Sequence, residues 1–172
     1  MQGFLLTFRA FCSIIPYGIL TKGVIMNKEA LKLLADINNA IIKFRGIYSA
    51  WSKKNGITYN EMLVLYTIRD SGYCTQKQIC DSYLLPRQTI NHVILDMEKR
   101  GILEVAKELG AGCEKVFVLT EDGKKYAEPL LDSLNNFEAQ AIENIGHDTL
   151  RTLAEGVMAY DEALSRALDE VK

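Results

Sequence analysis

The chain has 172 residues, 48% of them hydrophobic and 24% charged, which is length for one domain with an appended oligomerisation element and ample material for a core. Twenty basic residues against 22 acidic ones, a formal net charge of −2, exclude a protein that coats nucleic acid indiscriminately, because that affinity comes from phosphates neutralised by Lys and Arg. A local basic patch remains compatible with this balance.

Residues 1–25 differ in kind from the rest: they are apolar, contain no acidic residue and carry only Arg9 and Lys22 as charges. Pro16, Gly18 and scattered polar residues interrupt the run, so it supplies neither the continuous core of a signal peptide nor the roughly 20 unbroken apolar residues of a membrane span. Met26-Asn27-Lys28-Glu29 leads straight into a well-formed helix. The expectation is therefore that Met26 starts the functional protein and that 1–25 is an atypical extension; the alternative is an arm that packs on a dimer.

From Lys28 to Lys53 the spacing predicts a long amphipathic helix, with Leu31, Leu34, Ile37, Ile41, Phe44, Tyr48 and Trp51 on one stripe. Leu33, Ala40, Ile42 and Ile47 widen the apolar arc beyond what one small domain needs, so part of it is expected to face a partner subunit. Asn55 and Gly56 end this helix. Thr58 with Glu61 is a capping-box pattern that opens the next one, which runs to Asp70 with Met62, Leu65, Tyr66 and Arg69 at helical spacing before the Ser71-Gly72 turn.

The stretch that follows carries most of the functional information. Thr75 and Gln78 form a second capping-box pattern, a short helix follows, Leu84-Leu85-Pro86 closes a turn, and a longer helix ends before Gly101. Pro86 suits the first position of that helix, where its missing N–H is not needed. Ile90, Val93, Ile94 and Met97 recur at i, i+3, i+4 and i+7 as a core-facing stripe, and the opposite face is Arg87, Gln88, Asn91 and His92. Solvated helix faces are dominated by Lys and Glu, whereas Arg bonds guanine bidentately and Asn and Gln bond adenine. An ordinary polar face is the alternative; position within a helix-turn-helix favours base reading, because the first residues of the second helix reach the major groove. The candidate DNA contacts are Thr75, Gln76 and Lys77 on the first helix, Arg87, Gln88, Thr89, Asn91 and His92 on the second, and Lys115 beyond them. Between Cys74 and Arg100, four basic residues stand against three acidic ones, so binding per subunit would be modest and a two-fold dimer is the obvious way to double it.

Ile102 to Val105, a polar turn with Gly110 and Gly112, and Val116 to Leu119 read as a β-hairpin placed as a wing. Thr120 and Gly123 then open the next helix. This order of elements, the run LPRQTINHVILDMEKRGILE and the closing VFVLTEDGKK resemble the MarR family of winged helix-turn-helix transcriptional regulators, from about Lys28 to the C-terminus. Many members of that family carry an Asp-x-Arg in the wing, its Arg entering the minor groove. Counting back from Thr120 places Ala111 and Cys113 at those positions, and Lys115 is the nearest basic residue.

The resemblance implies a mainly α fold with a small β-wing, in which 26–172 form a single domain. Residues 57–120 would be the winged DNA-binding region, with dimerisation helices over 28–54 and 121–172. It implies a cytoplasmic homodimer on a pseudo-palindromic operator, without cofactor or membrane, that represses or activates nearby genes. A small aromatic effector often relieves such repression, and Tyr48, Trp51, Tyr59 and Tyr66 are the aromatic residues that could line its site, though at helical spacing they also read as core.

Beyond the wing, Glu121 to Ile145 is a long helix with Leu130, Leu134, Phe137, Ala141 and Ile145 on its stripe, and Gly146 breaks it. Thr149 to Leu168 is another, with Leu150, Leu153, Val157, Tyr160, Leu164 and Leu168. Neither has an obvious partner within a compact winged helix, so the expected result is an obligate homodimer.

The rival class is a small enzyme. The chain has no G-x-x-x-x-G-K-[ST] loop, no G-x-G-x-x-G and no H-E-x-x-H, and nothing places its Ser, His and Asp in a nucleophile elbow. His147 beside Asp148 sits at a helix start, where capping would explain both. Cys12, Cys74, Cys80 and Cys113 lack C-x-x-C spacing and only two histidines could join them, so no zinc site is expected. They read as reduced thiols, with Cys80 on the core side of its helix; the sharper alternative is a redox sensor at Cys74 or Cys113. A third class, a winged helix that acts through protein partners without reading DNA, is favoured by the acidic balance.

Overall fold

The computed structural model describes residues 27–106 and 114–171. The proposed extension, and Ala111 and Cys113 of the wing, lie outside them. The chain divides into two units after Ala50.

The first unit holds most of helix α1 (Lys28–Lys54). Asn27 begins it, its Oδ1 accepting the Ala30 N–H at 2.7 Å, a side chain taking one of the donors that every helix start leaves unpaired. Leu31, Leu33, Ile37, Ile41, Ile42, Phe44 and Ile47 are all exposed.

The second unit begins with the last turn of α1, where Trp51 and Ser52 are buried. Helix α2 (Tyr59–Ser71) is capped by Thr58, whose Oγ1 accepts the Glu61 N–H at 3.1 Å. The reciprocal half of the expected capping box does not form, because the Glu61 carboxylate is drawn to Arg100 and Tyr126 instead. Gly72, at φ 78, ends the helix in a left-handed conformation that suits a residue without Cβ. Strand β1 (Cys74–Thr75) follows, then α3 (Gln76–Tyr83), where both halves of the Thr75–Gln78 capping box are present.

Helix α4 runs from Arg87 to Lys99. Pro86 stands one position earlier than expected: its φ of −59 would suit a helix but its ψ of 133 is extended, so it is the residue before the helix, not the first one in it. Strands β2 (Leu103–Val105) and β3 (Val116–Leu119) form the wing, Leu103 opposite Leu119 and Val105 opposite Phe117. The sheet has a third member, β1, in the antiparallel order β1-β3-β2 with Cys74 opposite Phe117. That pairing anchors the start of α3 to the wing.

One core joins these pieces: Val64, Leu65 and Ile68 of α2, Ile79 of α3, Ile90, Ile94 and Met97 of α4, Leu103 and Phe117 of the sheet, and Ala127. The expected apolar stripe of α4 is thus the face that packs. Helix α5 (Glu121–Ile145) starts at Thr120, whose Oγ1 accepts the Gly123 N–H at 2.8 Å. Its backbone lies so close to the end of α4 that a Cβ on Gly123 would fall 2.0 Å from the Ile102 carbonyl oxygen. Helix α6 (His147–Asp169) has no buried residue. Neither His147 nor Asp148 supplies a side-chain cap to it; Gly146 precedes it and no side chain bonds its first N–H groups.

Candidate nucleic-acid interface

With Ile90, Ile94 and Met97 committed to the core, the helical period turns Arg87, Gln88, Asn91 and His92 outward, and all four are exposed. Thr89 is half-buried, its N–H held by the Pro86 carbonyl at 3.0 Å. Helix α3 holds the start of α4 through Gln76, whose Nε2 donates to the Arg87 carbonyl at 2.8 Å. Gln76, half-buried at the edge of the groove, therefore supports the start of α4, and Thr75 does the same for α3 through its capping hydroxyl.

Lys77 is exposed and pairs with Asp81 one turn on, at 3.2 Å. Its backbone N–H is taken at 3.1 Å by Glu114, which reaches across from the foot of β3. A carboxylate at a helix start is the favourable end of the helix dipole, and this bond fixes the wing against α3. Lys115 follows Glu114 and is exposed. The result is a groove of about 560 Å³ in which Gln76, Lys77, Arg87, Asn91 and Lys115 come together over Ile94 and Phe117. Glu98 and Glu114 also line it, and neither was singled out in the sequence, because each acquires its place only when the wing folds back. Gln88 and His92 lie on the exposed face of α4 but do not line this groove. A second cavity, of about 600 Å³, lies on the other side of Lys77 and Arg87 and is walled by Cys80, Asp81 and the Leu84-Leu85-Pro86 turn.

The end of α4 is tied to α2 and α5 by a partly exposed polar cluster that no local pattern announced. The Arg100 guanidinium, just past α4, donates to Glu61 Oε1 of α2 at 3.0 Å, to Asp96 Oδ2 at 3.1 Å and to the Tyr126 hydroxyl of α5 at 2.9 Å. Tyr126 in turn donates to the same Glu61 oxygen at 2.8 Å. Burial works against the charge on Arg100, yet its hydrogen bonds to Asp96 and Tyr126 and the charge of Glu61 outweigh it, and its pKa stands above the ordinary value. The Tyr126 phenol is likewise raised, by burial and by its bond to Glu61. The Glu61 side chain is only 7% exposed, against 38% for Arg100, so losing the arginine hurts more than losing the acid. Arg100→Met is expected to destabilise the fold by about 2 kcal/mol, below the roughly 3–5 kcal/mol of a fully buried broken pair because Tyr126 still serves Glu61. Glu61→Gln should cost less, since Arg100 keeps Asp96. Urea denaturation of the two variants measures the difference, and equal losses would mean the cluster behaves as a surface pair.

Of the candidate effector residues in this unit, Trp51 is buried core, and Tyr59 and Tyr66 are half-buried. The Arg69 guanidinium covers the Tyr66 ring at 4.0 Å while bonding Asn135 of α5 at 2.7 Å. Tyr48, in the first unit, is half-buried. None of the four lines either cavity. Cys74 is wholly buried and its thiol is pushed up to about 12, so it carries no thiolate near neutral pH and is not the exposed, activated thiol that redox sensing requires. Burial also raises the Cys80 thiol, although Arg87 pulls the other way; Cys12 and Cys113 lie outside the described residues. Among the described residues no helix is long and apolar enough to cross a membrane.

A family model for the MarR family matches residues 55–111, from the end of α1 through both helices of the helix-turn-helix and into the wing. Over those residues the chain matches the MarR-family winged helix. Among solved structures, a MarR family regulator from Neisseria meningitidis is 27% identical, with a TM-score of 0.73 over 86% of this chain and 100% of that one. A putative MarR family regulator from Listeria monocytogenes, complexed with a 26mer DNA, shares the fold at 17% identity and a TM-score of 0.61, covering 78% of this chain and 89% of its own. The Bordetella bronchiseptica regulator BpsR, whose DNA binding is regulated by 6-hydroxynicotinic acid, shares it at 15% identity and a TM-score of 0.58, over 73% and 98%. No curated protein matches. The mainly helical fold and small antiparallel wing expected from the sequence are those of the MarR winged helix.

Proposed function

We propose that this chain is a sequence-specific DNA-binding transcriptional regulator that acts as a homodimer on a pseudo-palindromic operator in the cytoplasm. Residues 57–120 read the DNA, and 28–54 with 121–172 pair the two copies. The observation that carries this reading is the face of α4: Arg87, Gln88, Asn91 and His92 are exposed at the start of a helix whose opposite face is locked into the core. Lys77 and Lys115 flank it as phosphate contacts, which position the protein without specifying sequence.

The homodimer is supported by apolar surface that the described chain leaves in water. On α6, Met158 and Leu168 are each 71% exposed, with Leu153, Val157 and Leu164 beside them in sequence, and α1 exposes seven large apolar residues of its own. Exposed apolar area on this scale marks an interaction surface. Sedimentation at micromolar concentration is expected to give a dimer; a monomer would contradict it. Repression relieved by a small aromatic effector is the regulatory mode, supported by the likeness to the Bordetella protein.

A mobility-shift experiment at low salt, with duplexes selected from random sequence, tests the reading. A shifted, sequence-restricted set supports it. No shift with any duplex would leave the protein-interaction reading, which Glu98 and Glu114 favour because they dilute the positive potential of the groove.

A further inference from the structure

Leu84 is out of place on two counts. It occupies the left-handed region, φ 50 and ψ 44, where L side chains crowd their own backbone, and among the described residues it is the only non-glycine to do so. The other positive-φ positions, Gly56, Gly72, Gly101 and Gly146, are glycines, the residue this conformation suits. Leu84 also packs against almost nothing: it is 90% exposed, more than any other large apolar side chain described. A glycine or asparagine would close α3 more cheaply, so neither the turn nor the core accounts for a leucine.

Its surroundings say what does. Lys77 and Arg87 line both cavities, with Gln76, Asn91 and Lys115 on one side of them and Leu84, Leu85 and Pro86 on the other. Leu84 therefore borders the reading face, three residues before Arg87. The first residues of a recognition helix contact base edges in the major groove, and Leu84 stands in the turn just before that start. Lys77, Arg87 and Asp81 are the charged residues of this second cavity, Asp81 pairing with Lys77 at 3.2 Å; the balance stays positive, which suits an anionic partner, and double-stranded DNA offers one apolar group in its major groove, the C5 methyl of thymine.

We propose that Leu84 is a specificity-determining residue that packs on a thymine methyl at the edge of each half-site. The inference rests on the DNA-reading function above. The test uses the full chain, wild type and L84G, and an operator selected by the wild type in which each thymine is replaced in turn by deoxyuridine, which removes only the methyl. At one symmetric position the wild type should lose about four-fold in affinity per half-site, the size of one buried methyl group. L84G should lose a similar factor on the thymine operator and be indifferent to deoxyuridine there, while melting at or above the wild-type temperature. Indifference of the wild type to every deoxyuridine, or losses from L84G and deoxyuridine that multiply independently, would overturn the assignment while leaving DNA reading intact. If no duplex is selected at all, the reading and the assignment fall together.

Discussion

Gly123→Ala is expected to destabilise the protein by about 3 kcal/mol, although alanine is the better helix former by about 1 kcal/mol. The added Cβ would lie 2.0 Å from the Ile102 oxygen and 2.9 Å from its carbonyl carbon. Both are main-chain atoms, so no side-chain rotation relieves the contact. Either α5 withdraws or the start of β2 moves, and the latter breaks the 3.1 Å bond from the Thr120 N–H to that same Ile102 oxygen and strains the pairing of Leu103 with Leu119. Overpacking typically costs about 1–3 kcal/mol and more when backbone must shift, which places this substitution at or above the top of that range even after the propensity gain. Thermal denaturation followed by circular dichroism should show a Tm lower by roughly 6–12 °C for a chain of this size. An unchanged or higher Tm would mean that the junction between wing and α5 is looser than described. Thr120→Ala removes the cap and also the 2.6 Å bond that the same hydroxyl donates to the Gly101 carbonyl, and should cost about 1–2 kcal/mol.

The long helices were legible because their signal is repeated. α5 begins and ends where its stripe and the Thr120 and Gly146 boundaries put it, and α1 extends one residue past the expected Lys53. The capping box of α3 was legible for a different reason: both partners lie within three residues of each other. What was missed is what distance or brevity hides. Strand β1 has two residues, too few for an alternation to show, and exists only because β3 comes back to pair with it. Glu61 stands three residues from Thr58, which pointed to a local cap, but its partners Arg100 and Tyr126 are 39 and 65 residues away. A buried carboxylate takes a guanidinium in preference to one more backbone N–H because the pairing offsets the desolvation of both charges. Glu114 reaches the start of α3 across 37 residues. Within the site, the residue types on α4 and the Thr75 cap were readable, while the role of Gln76 as a support emerges only from its bond to the Arg87 carbonyl.

Replacing Arg87 or Asn91 with alanine is expected to cost about 1–3 kcal/mol per subunit on the preferred operator and to relax the base preference at the position each reads, the size of one lost bidentate contact. In a dimer both half-sites suffer, so the combined effect exceeds any other substitution on this surface. The fold should be untouched, because both side chains are exposed and their helix is held by Ile90, Ile94 and Met97. Lys77→Ala and Lys115→Ala should instead weaken all sequences alike and flatten the dependence of log affinity on log salt by about one per contact.

The most direct measurement is therefore fluorescence anisotropy of wild type, Arg87→Ala and Asn91→Ala against a duplex selected from random DNA and against an unselected one. The wild type is expected to prefer the selected duplex, and each variant to lose most of that preference while its affinity for the unselected duplex changes little. Variants that kept the full wild-type preference would show that α4 is not the reader.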